Sequence, residues 1–202
     1  MMFLSWNLPS SKQQKQCLDK SGAFNYDRKY LGATSIPVDL KEIANDGYVL
    51  NHSRVALGSG IATFQHAKNA LQKWRHFGLD WAFVDPNTPI QNGAKFCVCV
   101  KELFPWMMLP LQVISVENPN YQNKGPAAFR FAGGTLQGHL LAGEERFSVE
   151  IDAEDNVWYE ILSFSKPAHF LAIVGQPYVR FRQKVFARQS SYALLKHVNS
   201  QS

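Results

Sequence analysis

Cysteine is scarce in this sequence: Cys17, Cys97 and Cys99 are the only three. An odd count without framework spacing excludes a disulfide-stapled scaffold. Cys97 and Cys99 stand two apart on an expected strand, so they share one face. Zinc sites draw four ligands from wider loop spacings, so no metal is expected. The thiols read as small apolar residues of a reducing compartment. Long apolar runs are missing as well. The longest, LFPWMMLPL from Leu103 to Leu111, is about half of a bilayer span and holds two prolines. No acidic residue precedes Asp19, but arginine is absent there too. The apolar part of that opening segment is too short for a secretory signal, and it is expected to be structured. There is no HExxH, no GxSxG elbow, no P-loop lysine and no Ser–His–Asp order. No cofactor is expected.

What is present is a chain able to bury a core, with 46% hydrophobic and 13% aromatic residues. The formal charge of +5 leans towards an anionic partner, although a modest basic excess also serves solubility alone. Arg180, Arg182, Lys184 and Arg188 lie partly off an apolar helical stripe and read as a solvated face. Nucleic acid would need exposed aromatics for stacking as well, and is not expected as a partner.

The periodicities order the chain. A short helix is expected from Ser10 or Ser11 to Leu18, within an N-terminal extension that runs to residue 47. Tyr48–Leu57 reads as a strand. Ile61, Phe64, Ala67, Leu71 and Trp74 then form one helical face that ends near Gly78. Six strand-like runs follow: 81–85, 94–103, 109–117, 128–134, 145–152 and 157–165, with a hairpin tip at Phe104–Met108. Residues 168–198 are helical, with Gly175 and Pro177 breaking the helix early, so the long part starts near Pro177. Strands joined by short turns imply an antiparallel meander. The expected fold class is α+β: one domain spanning residues 1–202, with a curved antiparallel sheet wrapping a long C-terminal helix. That is the helix-grip architecture of START and Bet v 1-like proteins.

Four segments carry a closer resemblance: NHSRVALGSG, ALQKWRHFGLDW, GGTLQGHLLAGEERFSVE and VWYEILSFSKPAHFLAIVGQPYVRFRQKVFA. In this order and spacing the chain resembles uncharacterised protein family 0548, and its plant members most closely, down to the N-terminal FLSW. The resemblance implies relationship and brings no reaction or catalytic residues. It permits a cytoplasmic location or an association with plastids, and the cytoplasmic one is expected.

The candidate residues are therefore read from the chain itself. In GGTLQGHLLAGEERF, four glycines suit the bulges or bends of a curved sheet, and Gly138 and Gly143 should resist alanine only where φ is positive. His139 suits proton transfer. Glu144 and Glu145 must point to opposite faces, and Glu145 shares a side with Phe147 and Val149. Its expected state is a buried ion pair with Arg54, with acid–base work as the competing role. Glu160 faces a cavity if Trp158 does; both faces of that strand are apolar, so parity leaves this open. His66 and His76 read as solvated, and His169 as a cap. The leading functional reading is a module that binds a small hydrophobic or lipid-like ligand. Its cavity would be lined by Trp81, Phe83, Trp106, Phe131, Trp158 and Tyr178, with His139, Glu145 and Arg54 orienting the ligand. LFPWMML would be a mobile apolar tip at its mouth or a peripheral membrane contact, with packing against the N-terminal extension as the plainer role. The alternatives are an enzyme of the same fold using His139 and Glu145, and an interaction protein whose core is filled by its own aromatics.

Overall fold

The computed structural model describes residues 2–36, 40–102, 104–119 and 126–200. Most of the turn-rich PNYQNKGP stretch lies outside them, as does Leu103. The elements run β1 (Phe3–Ser5), α1 (Ser11–Lys20), α2 (Leu40–Asn45), β2 (Val49–Ser59), α3 (Gly60–Gln72), β3 (Ala82–Phe83), β4 (Lys95–Lys101), β5 (Trp106–Glu117), β6 (Ala127–Thr135), β7 (Leu141–Ile151), β8 (Asn156–Pro167), α4 (Phe170–Val174) and α5 (Gln176–Asn199). The sheet order is β2-β8-β7-β6-β5-β4-β3, every neighbour antiparallel, and β1 pairs with β5. The sheet curls around α5, the expected arrangement. Gly175 closes α4, and Pro177 sits in the first turn of α5, where a missing N–H costs nothing.

Alternation decides what each sheet face holds. In β4, Phe96 and Val98 join the core on the inner face, while Cys97 and Cys99 lie buried on the outer face against Cys17 of α1. In β8, Val157, Tyr159 and Ile161 are buried inwards and Trp158 and Glu160 point out. The C-terminal half of α5 docks through Leu194 and Val198 onto α3, and Tyr159 Oη meets Ser190 Oγ at 2.8 Å. The N-terminal extension covers the outer face further along, where Tyr26, Tyr30 and Tyr48 pack edge-on around Phe164.

Three expectations are corrected here. Trp106–Met108 is no loose tip: these residues belong to β5, pair with β1, and bury Trp106 and Met108 beside Cys17. That is the packing against the N-terminal extension weighed as the plainer role. His76 is not solvated. Helix α3 stops at Gln72, Trp74 adopts a left-handed φ of 57°, and the chain turns inwards. His76 is left 0% exposed, stacked on Trp74 and beside Phe131 and Phe147, with neither ring nitrogen hydrogen-bonded. Burial pushes its pKa down to about 3. The glycines also act differently from the expected bulges. The β6–β7 register runs unbroken through Gly133 and Gly134, and the register shifts lie at Val113/Ser115 of β5 and Ala56/Gly58 of β2. Gly134 leaves room for Phe24 and Tyr26, and Gly143 has a φ of 154° with an added Cβ overlapping the Phe164 carbonyl.

Candidate functional site

Between the N-terminal half of α5 and the inner face of the sheet lies a cavity of about 990 Å³. Val98, Val100, Leu109, Leu111 and Ile161 line the sheet side, and Val179 and Phe186 line the helix side. The space follows from the sequence of α5. Its C-terminal half carries the buried Leu194 and Val198. Its N-terminal half presents Tyr178, Arg182 and Gln183, which stay partly in solvent instead of filling the sheet's concavity.

A clasp ties this half of α5 to the sheet. Glu102, at the end of β4, accepts hydrogen bonds from Arg182 Nε at 2.8 Å and from the Tyr178 hydroxyl. The Arg182 guanidinium lies 3.7 Å from the centroid of the Trp81 ring, and Trp81 Nε1 donates to Gln189 Oε1 at 2.6 Å. Trp81 and Tyr178 line the cavity, and each is already engaged.

Glu144 and Glu145 point to opposite faces, as strand geometry requires. Glu145 lines the cavity with no hydrogen-bond or ionic partner among the described residues. Burial raises its pKa to about 7. Arg54 is not its partner, which corrects the expected ion pair. Arg54 sits outside, 4.6 Å over the Trp158 ring and 3.9 Å from Glu150. Glu144, which sequence reasoning passed over, is 3% exposed beneath the N-terminal extension. It accepts from Tyr26 Oη at 2.7 Å, Gly32 N–H at 2.6 Å, Thr34 N–H at 3.2 Å and Thr34 Oγ1 at 3.1 Å.

His139 reaches the cavity wall from the turn before β7. Its Nδ1 accepts the Leu141 N–H at 2.9 Å, and burial lowers its pKa to about 4. The ring is neutral at physiological pH. His169 caps α4, as expected, accepting the Leu171 N–H at 3.3 Å.

The remaining candidates lie elsewhere. Phe131 belongs to the closed core under α3, 5.2 Å from Trp74 between ring centroids. Phe83 and Trp106 pack against each other in the cluster with α1 on the outer face. Trp158 and Glu160 are also outside. Trp158 Nε1 donates to Asp152, and Glu160 takes Arg146 at 2.5 Å and His52 at 3.3 Å. These five and Arg54 are thus removed from the cavity lining. Two residues that sequence reasoning missed are in it: Asn51 on β2 and Ser163 on β8. Their inward placement depends on strand parity, which the two apolar faces of β8 hid. No group of three His, Cys, Asp or Glu side chains among the described residues suits a metal ion. No described helix is long and apolar enough to cross a membrane.

The family model of a domain of unknown function, DUF1990, matches residues 31–193. A UPF0548 protein of Arabidopsis thaliana is 58% identical across 99% of this chain and 100% of its own length. The chain belongs to the UPF0548 family. A UPF0548 protein of Dictyostelium discoideum is 36% identical over 73% of this chain and 71% of its own. Among solved structures, a hypothetical protein of Helicobacter pylori superposes on this UPF0548 chain with a TM-score of 0.51 and 14% identity, covering 88% of this chain and 96% of that one. The di-domain aromatase/cyclase StfQ of the steffimycin biosynthetic pathway gives a TM-score of 0.52 at 9% identity, covering 80% of this chain and 54% of StfQ. At such identities these likenesses show the α+β fold alone.

Proposed function

We propose that this UPF0548 protein binds a small apolar molecule between its sheet and α5. The observation that carries this is the cavity: about 990 Å³, walled largely by aliphatic side chains, with few polar groups. Size and lining match the usual small-molecule site. An open cavity supports binding over a fold filled by its own aromatics, because the aromatic cluster around Trp74 and His76 lies beside the cavity instead of in it. Acid–base catalysis by His139 draws less support, since the neutral ring has its Nδ1 committed to the Leu141 backbone and no second proton to give. The test is a melting-curve screen of fatty acids, isoprenoids and sterols. A true ligand at ten times its dissociation constant adds about 1.4 kcal/mol. That is a rise of roughly 3–6 °C for a chain of this size. A flat response across all classes, with native mass spectra showing only bare protein, would overturn the reading.

A specific observation favours a peripheral membrane contact beside this role. Phe170, Ile173 and Val174 on α4 are 64%, 62% and 75% exposed, while Leu171 and Ala172 of the same helix line the cavity. Arg180 and Lys184 stand exposed on the next helix. Apolar side chains backed by basic ones suit an anionic lipid surface. Ile173→Asp combined with Val174→Asp should weaken co-sedimentation with phosphatidylserine-containing vesicles by about tenfold. Equal sedimentation of the variant and the parent would remove the contact.

A further inference from the structure

One carboxyl stands free in the wall of the cavity. Glu145 on β7 is the register partner of Gly133 on β6 and of Ser163 on β8, and the same-face position two residues before it is Gly143. The two glycines offer it no side chain, and Ser163 offers a short one. Glu145 and Ser163 both line the cavity, and their side-chain oxygens are open to it with no hydrogen bond to another described residue.

The polar groups around them are already engaged. The Thr135 hydroxyl lies between the Gly143 backbone and Asn25, Ser165 Oγ accepts from Gln183 Nε2 at 3.0 Å, and the neutral His139 holds the Leu141 N–H. Among the cations of the lining, Arg182 is held by Glu102, and Lys184 and Arg188 are exposed on α5. The cavity therefore keeps an acid for which the chain supplies no base.

Folding has already taken water from this carboxyl, the cause of its raised pKa of about 7. A cation that reaches it loses only its own hydration, and the attraction it meets is strengthened by the low dielectric of the apolar wall. Near neutral pH the carboxyl gives up its proton readily beside such a charge. An ammonium has three N–H donors, so Glu145 can take one or two in charge-assisted bonds and Ser163 Oγ another. A hydroxyl head group gains only an uncharged donor's bond, and a carboxylate is repelled.

We propose that the apolar ligand carries a protonated amine seated on the Glu145 carboxylate, with Ser163 Oγ as a second acceptor. This rests on the apolar-ligand reading above and adds the charge of the polar end. The net charge of +5 repels cations from the molecule at large, so a preference for an amine has to arise locally.

Three probes of one chain length separate the outcomes: octylamine, octanol and octanoate, each titrated by calorimetry into the full chain at neutral pH. Octylamine should bind at least about tenfold more tightly than octanol, the equivalent of about 1.4 kcal/mol, and octanoate more weakly than octanol. Glu145→Gln should bring all three affinities close together. Octanol binding should survive the substitution, which also reports that the variant is folded. Octanol binding with no preference for octylamine, octanoate binding more tightly than octylamine, or an amine preference that Glu145→Gln leaves intact, would overturn the amine assignment and leave the apolar cavity standing. If none of the three binds, both fall.

Discussion

Glu144→Ala should lower stability by about 4 kcal/mol, the largest loss expected from one polar side chain in this protein. One carboxylate collects four donors from Tyr26, Gly32 and Thr34, and it does so under a buried layer. Removing it forfeits those bonds, about 1 kcal/mol each, and strands two backbone N–H groups, at about 1–3 kcal/mol each if they stay buried. Relaxation returns part of that sum, because the extension can lift and rehydrate. The lifting is the second readout. Amide exchange should accelerate across residues 24–36 well before it does in β6, β7 and β8. In a melting curve the loss amounts to roughly 8–16 °C. An unchanged midpoint, or exchange that rises evenly over the whole chain, would mean that Glu144 does not anchor the extension.

Its neighbour should behave in the opposite way. Glu145→Gln is expected to stabilise the protein at pH 8 and to leave it unchanged at pH 4. The ordinary pKa of the side chain is 4.5, and in the folded protein it is about 7. Between those values the folded chain keeps a proton that the unfolded chain releases, so stability falls as pH rises through the window. Below 4.5 the penalty is absent; above 7 it is complete, at roughly 3 kcal/mol. Glutamine never ionises, so the variant escapes it and should melt roughly 6–12 °C higher at pH 8. The other titratable groups lining the cavity, among them His139, Glu102, Tyr178 and Arg182, are common to both proteins and cancel in the comparison. A variant that melts lower at pH 8 would show that Glu145 has a cationic partner. Arg54 cannot supply one from the outer face, where it covers Trp158.

These adjacent glutamates also show how far the sequence reaches. Period-two patterning placed Cys97 and Cys99 on one face of β4, and it placed Glu144 and Glu145 on opposite faces, because alternation is a local rule. The break at Gly175 and Pro177 was local too, and it appears at the α4–α5 junction. The parity of β8 was hidden because Trp158, Leu162 and Phe164 are as apolar as Val157, Tyr159 and Ile161. Only the pairing with β2 and β7 shows which set faces α5. The outer set is apolar for its own reasons: Phe164 lies under Tyr26 and Tyr30 of the extension and Tyr48 beside it, and Trp158 under Arg54. His76 was misread because the helix seemed to run on to Gly78, and a left-handed Trp74 has no signature in composition. The pairing of Asn51 with Ser163 on the inner face is a product of register, joining residues over a hundred positions apart, and no window of sequence contains it.

The three thiols have a practical consequence. Cys17, Cys97 and Cys99 are all buried where α1 meets β4, Cys97 and Cys99 with their sulfurs 3.9 Å apart. The reactive form of a cysteine is its thiolate, and in Cys17 a hydrogen bond with Cys97 together with burial disfavours that form. An alkylating reagent meets these sulfurs only in the moments when α1 has parted from the sheet. The chain thus carries its own stopwatch for that parting, read by the uptake of label per molecule, with no residue having to be introduced.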